Sequence, residues 1–316
     1  MNKRERVLKT VKGEVVDYVP SGFWIHFPKG EQQGEKAVNA HIRFYKETGI
    51  DILKIMNENE MRSSEKMLSA EDWNRIRPID KKNKLIQNQV EIIKRILDET
   101  KGELVVLGTI HGVVASASHS SGYRYSQSSN IMPKHLAEKP EIVGAAFRAI
   151  AESTATFAEA CVEAGVDGIY YAALGGEKHK FTDEQFEKYI KPCEMMVLDA
   201  VHNVKGFNVL HMCKDNLNLI RYKDYPVNVV NWAIHENNLS LEEGKEIFKD
   251  KTILGGLDDR SGVLVNGTME DIEKEVHCIL DRMGTTKFIL GADCTLPTEI
   301  EYSRIKKVVE AAKNYK

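Results

Sequence analysis

At 316 residues, 42% hydrophobic and 29% charged, the chain has the balance of a globular protein with material for a large core. A formal net charge of −3 excludes a general affinity for nucleic acid or for anionic membrane. No uncharged apolar run is long enough to span a bilayer, Met1–Arg6 holds no apolar signal region, and five cysteines are an odd number, so reduced thiols in the cytoplasm are expected.

In chain order, apolar runs alternate with long amphipathic stretches. The runs Val19–Phe27, Asp51–Met56, Glu103–Ile110, Asp167–Ala172, Phe207–Met212, Val227–Trp232, Thr252–Leu257 and Lys287–Ala292 predict eight strands. Apolar residues at three- and four-residue spacing predict helices over Lys36–Thr48, Lys84–Thr100, Glu141–Ala164, Asp183–Asn203, Leu241–Phe248, Met269–Met283 and Ile300–Ala312. In the longest of these, Val143, Phe147, Ile150, Thr154, Phe157 and Cys161 form one stripe. Continuous rather than alternating strands imply burial on both faces, as in a parallel sheet under helices. Eight such units favour a (β/α)8 TIM barrel over an open doubly wound sheet, with 1–316 as a single domain lacking repeats and linkers. One stretch breaks the rhythm. His111–Pro133, with seven serines and two tyrosines, reads either as an active-site loop or lid or as solvent-exposed disorder.

Barrels of this kind work at the C-terminal ends of their strands. Standing there are His26, Asn57, Glu58, His111, Tyr171, His211, Cys213, Asn231, His235, Asp258, Asp259, Asp293 and Cys294. Of these, His26, Asn57, His111, Tyr171 and Asp258 are expected to bind substrate, lining the same cavity as the metal. His211 and Cys213 lie two apart on a strand, so they share a face and offer two ligands for a borderline-soft metal such as zinc. Cys294 follows the eighth strand, 81 residues beyond Cys213, and neighbouring rim positions bring such distant residues together. One His and two Cys leave a fourth position for substrate, as catalytic zinc sites do, whereas structural sites are closed by four protein ligands. Cys161, Cys193 and Cys278 fall in helices and read as packing residues.

These segments carry a resemblance. Gly13–Pro20 resembles the G-x-x-x-D-x-V-P opening of the uroporphyrinogen decarboxylase superfamily. Asp51–Met56, Phe181–Phe186 with Pro192, Gly255–Asp258, Gly267–Ile272 and Gly291–Pro297 match further segments of that superfamily in order, over nearly the whole chain. The resemblance implies a distorted (β/α)8 barrel and one of two chemistries. Decarboxylases of the superfamily hold a many-carboxylate tetrapyrrole with arginines after the first strand, where this chain has Phe23–Gly30 with no arginine. The other branch, cobalamin-dependent methyltransferases similar to the methylcobamide:coenzyme M enzymes, binds zinc through H-x-C and a distant Cys, matched here by His211, Cys213 and Cys294. No acidic residue stands at Tyr170–Ala173.

The expectation is therefore a zinc-dependent transfer of methyl between a corrinoid (methylcobamide), presented by a separate corrinoid protein, and a small-molecule thiol or similar acceptor or donor. His211, Cys213 and Cys294 are the expected catalytic and metal-binding residues. A decarboxylase of porphyrinogens or another acid, and a non-catalytic tetrapyrrole- or corrinoid-binding relative, are the alternatives.

Overall fold

The computed structural model describes residues 1–59, 62–237 and 239–315. Eight parallel strands close into a barrel in sequence order. Helix α1 (Lys3–Lys12) precedes β1 (Ser21–Gly22), and α2 (Gly34–Thr48) leads to β2 (Ile52–Ile55). Next come α3 (Lys84–Thr100), β3 (Val105–His111), α4 (Val113–Ser120), α5 (Tyr125–Glu138), α6 (Pro140–Ala164) and β4 (Gly168–Ala173). Helix α7 (Asp183–Gln185) runs through a π-helical turn, Phe186–Ile190, into α8 (Lys191–Ala200) and β5 (Val209–Met212). Only a 3-10 turn, Leu219–Tyr222, separates β5 from β6 (Val229–Trp232). The circuit ends with α9 (Leu241–Ile247), β7 (Thr252–Leu257), α10 (Val263–Asn266), α11 (Met269–Met283), β8 (Phe288–Ala292) and α12 (Tyr302–Asn314).

The strands are buried on both faces, which is why they read as continuous apolar runs. The first is the shortest. Pro20 has no amide hydrogen to give, and past Gly22 the chain leaves the sheet and pairs next at the isolated Ile25–Leu296 bridge. Helix ends follow local chemistry. Thr268 and Ser240 form capping boxes with Asp271 and Glu243, while Gly13, Gly49 and Gly165 close helices in the left-handed region.

The serine-rich stretch differs from both expectations. It folds as α4 and most of α5, with Ser116, Ser118, Ser120, Ser121, Ser128 and Ser129 buried. The hydroxyls of Ser118 and Ser128 meet at 2.7 Å, and that of Ser116 donates to the carbonyl of His111. Small side chains bonded this way are compatible with close packing, which composition alone does not reveal.

At the N-terminal end of the barrel, Arg6 donates to Asp17 and to the fully buried Asp51, which also receives the amide of Ser21. The bond from Arg6 holds the Asp17 carboxyl down at about 2. Asp17, the acid of the G-x-x-x-D-x-V-P segment, thus ties α1 to the barrel at the end opposite the strand-end residues. Among the described residues no helix is long and apolar enough to cross a membrane.

Candidate metal centre

Strand β5 carries His211 toward the barrel axis, and Cys213 follows just past its end, its amide donating to the carbonyl of Ala173. Cys294 stands two residues beyond β8. The structure brings the three together: Sγ of Cys294 lies 3.4 Å from Nε2 of His211 and 3.8 Å from Sγ of Cys213. All three ligand atoms fall within 4.8 Å of one another. With bonds of about 2.3 Å to sulfur and about 2.0 Å to nitrogen, a tetrahedral zinc ion requires about 3.8 Å between sulfurs and about 3.5 Å between sulfur and nitrogen. The donor set and its spacing fit the ion. His211 is buried and both cysteines are partly open to solvent.

The imidazole is fixed from behind. Nδ1–H of His211 donates to Oδ1 of Asn231 at 2.6 Å, and the amide nitrogen of Asn231 donates to the carbonyls of Leu254 and Ala292. Those two bonds orient the amide, so Nδ1 carries a hydrogen and Nε2 is the nitrogen turned to the thiols. The same Oδ1 receives the hydroxyl of Tyr170, whose ring stacks on His211 with centroids 5.5 Å apart. The bond from the Cys213 thiol, together with His211, holds Cys294 well below the ordinary thiol range and drives Cys213 well above it. The two thiols therefore titrate as a pair, with Cys294 the one that gives up its proton first.

The other expected residues divide. Nδ1–H of His26 donates to Oε1 of Glu58 at 2.6 Å on the rim. Asn57 is buried and its Oδ1 accepts the amide of Asn59, while His111 packs edge-on against His119 with centroids 5.1 Å apart. Asn57 and His111 line one cavity with His119. Tyr171 is placed elsewhere. It faces the helical layer, fully buried, its hydroxyl accepting the amide of Val113, so Tyr170 is the fourth-strand residue directed at the centre. Asp258 folds back on its own loop, accepting the amides of Arg260 and Ser261. Its neighbour Asp259 is buried and is pushed up to about 6, by burial first and then by the Cys294 thiolate. His235 and Asp293 pair at 3.0 Å. Cys161 and Cys193 are buried, and Cys278 lies exposed on α11 rather than packed.

Three further residues escaped the sequence reading, of which Lys54 lies by the cysteines. Lys54 is buried with Nζ 4.4 Å from the ring centre of Tyr170 and 5.1 Å from that of Trp24, and burial lowers its pKa to about 8. A lysine inside the apolar run Ile52–Ile55 is the signal that would have found it. Glu177 is buried in the loop after β4, where it accepts from the hydroxyl of Tyr125 and the amide of Gly175. His119 hides among the serines of α4.

A family model described as "Uroporphyrinogen decarboxylase (URO-D)" matches residues 46–315. The chain belongs to the uroporphyrinogen decarboxylase family. Within it, the chain is 26% identical over 227 residues to a protein of Methanosarcina acetivorans named methylcobamide:CoM methyltransferase MtbA. That match covers 72% of this chain and 63% of the relative. A protein of the same name from Methanosarcina mazei is 29% identical over 224 residues, covering 70% of this chain and 62% of the relative. The matches therefore span less than two thirds of either curated relative. The barrel superposes on a solved "methyltransferase from Methanosarcina mazei" with TM-score 0.77 and 18% identity, covering 99% of this chain and 98% of that one. A B12-independent methionine synthase from Shewanella sp. W3-18-1 superposes with TM-score 0.65 and 13% identity over 94% of this chain and 97% of the other. Both likenesses are of fold.

Proposed function

We propose that this uroporphyrinogen decarboxylase family member is a zinc-dependent methyltransferase, moving a methyl group between a corrinoid carried by a separate protein and a small thiol or similar substrate. The observation that carries the reading is the His211–Cys213–Cys294 triplet, spaced for a tetrahedral ion, in a chain similar to proteins named for methyl transfer from methylcobamide. Zinc held by these residues would supply Lewis acidity that makes a substrate thiolate available near neutral pH, against an ordinary thiol pKa of about 8.5.

The chain's own residues do the rest. Asn231 holds His211 as the Nδ1–H tautomer, so that Nε2 is the ligand atom. Two cysteine sulfurs offset the charge of a dication, which keeps a bound sulfur electron-rich. Tyr170 and Trp24 cover the inner side of the site, and Lys54 between them places one positive charge in an otherwise apolar floor. The barrel mouth is the side left for a corrinoid. A polycarboxylate porphyrinogen would need charge-assisted forks after β1, where Trp24, Ile25 and Phe27 are buried instead.

Metal analysis and a methyl-transfer assay test the reading. Purified protein is expected to hold about one zinc per chain and to consume methylcobalamin in the presence of a thiol. Cys213→Ala and Cys294→Ala should lose both while the barrel stays folded. A fully active enzyme without metal overturns it, as does efficient uroporphyrinogen decarboxylation with no transfer across a broad donor and acceptor panel.

A further inference from the structure

Lys54 lies in β2, inside the apolar run Ile52–Ile55, and is buried. Its ammonium sits against the rings of Tyr170 and Trp24. Among the described residues, the one hydrogen-bonding contact of Nζ is Sδ of Met56 at 3.3 Å, and a thioether is a weak acceptor. A buried charge normally has an anion against it, and aromatic faces replace only part of that attraction. Burial brings the ammonium down to about 8, so most of it still carries its proton at pH 7. The charges that work in its favour are, in order, Cys294, Glu58 and Cys213. Glu58 is already bonded to His26, which leaves the two cysteines.

Tyr170 stands between the lysine and the metal centre. Nζ lies 4.4 Å from the centre of its ring, and the ring stacks on His211 with centroids 5.5 Å apart, so the ammonium is no more than about 10 Å from the imidazole. The phenol stays neutral, driven well above its ordinary value by burial. His41 on α2 and His111 on β3 also feel the lysine, and burial holds both below their ordinary value, so neither adds charge at pH 7. Lys214, the other cation whose field reaches both cysteines, is half-buried and is answered by Glu236 and Glu177. Asp259, raised to about 6, acts on Cys294 with the opposite sign.

Two cysteine sulfurs and a neutral imidazole balance a dication, so a third sulfur brought by substrate carries one negative charge in excess. We propose that Lys54 is the counter-charge for that excess: its ammonium favours the ionised form of the substrate sulfur, and it does so through its field, without holding the metal. The inference rests on the zinc methyltransferase reading and adds a residue to it. The substrate S–H gives its proton to solvent and keeps the electron pair on sulfur, and Lys54 lowers the pH at which this happens. A unit charge acting over about 10 Å at an effective dielectric of about 20 is worth about one pH unit.

The test is binding of 2-mercaptoethanol to the purified protein loaded with cobalt(II), whose sulfur-to-metal absorption bands report bound thiolate at each pH. At a fixed thiol concentration, Lys54→Met keeps the stem and removes the charge. It should move the half-occupancy point up by about one pH unit, which is about tenfold weaker binding at pH 7. Metal content and melting temperature should not fall, because an apolar side chain in place of an unpaired buried charge is neutral or stabilising. Lys54→Gln should shift the point in the same direction and covers the case in which the methionine variant does not fold. Lys54→Arg, which keeps the charge, should stay closer to the parent than to the neutral variants. An unmoved half-occupancy point in the neutral variants overturns the inference, as does loss of metal from their folded fraction, or an arginine variant that behaves like methionine. The two readings fail separately. A negative methyl-transfer assay with the lysine-dependent shift intact removes the reaction and keeps the counter-charge, whereas active transfer with the point unmoved removes the counter-charge and keeps the reaction. A protein that takes up neither metal nor thiol removes both.

Discussion

The ring of His211 and the amide of Asn231 meet at 2.6 Å, and the pair occupies matching positions on β5 and β6. Because both amide hydrogens of Asn231 are spent on the carbonyls of Leu254 and Ala292, the contact has one direction only. Asn231→Ala should therefore weaken zinc binding by about 10- to 100-fold, the usual loss when the partner of a metal-bound histidine is removed. Competition with a chromophoric chelator, on protein shown to be folded, measures it. Unchanged affinity would mean that His211 is oriented by the stacked ring of Tyr170 alone.

Glu194 on α8 is fully buried, with Tyr225 donating to one oxygen at 2.6 Å and no partner on the other among the described residues. Burial pushes its carboxyl up to about 8 from 4.5. A carboxyl raised in the folded state gives stability that is complete below its unfolded value and is lost as pH climbs through the folded one. Glu194→Gln keeps the shape and removes the charge. Its stability advantage over the parent should grow between pH 4.5 and about 8 and level off above, reaching a few kcal/mol. Urea denaturation at a series of pH values reads it, and a difference independent of pH would contradict the argument.

Gly244 lies in α9 directly beneath the indole of Trp232. A Cβ there would come within 2.1 Å of the ring. Alanine normally gains about 1 kcal/mol over glycine in a helix, but overpacking against a rigid, fully buried ring costs about 1–3 kcal/mol. The clash should win, and Gly244→Ala should lower the melting temperature. A rise would show that α9 shifts outward at little cost.

Arg6 holds Asp51, which has no solvent exposure. Arg6→Met leaves that carboxylate buried and unpaired and should destabilise by about 3–5 kcal/mol. Adding Asp51→Asn should restore part of the loss. Since the pair sits at the N-terminal end of the strands, the zinc content of the folded fraction should not change. Thermal unfolding of the two variants, with metal analysis beside it, checks both halves.

Local chemistry was enough for the barrel and for singling out His211, Cys213 and Cys294 as candidate ligands, which the fold brings together. Eight apolar runs buried on both faces, helices at 3.6-residue spacing, and a His and Cys two apart on a strand are short-range patterns, and each survives folding almost unaltered. Tertiary packing decided what depends on phase and on long-range contact. Tyr170 rather than Tyr171 turns to the axis because β4 is in register with β5, and a shift of one residue reverses every side chain of a strand. Asp258 is spent on its own loop, whereas its neighbour Asp259 is buried and raised to about 6, by burial first and Cys294 second. The serines of α4 and α5 are polar by composition and buried by mutual hydrogen bonding, so the lid or disorder expected there gives way to two helices. The surroundings of Lys54 and the cavity at His111 arise only when distant strands and helices close around them, and no window of sequence contains the side chains that surround either.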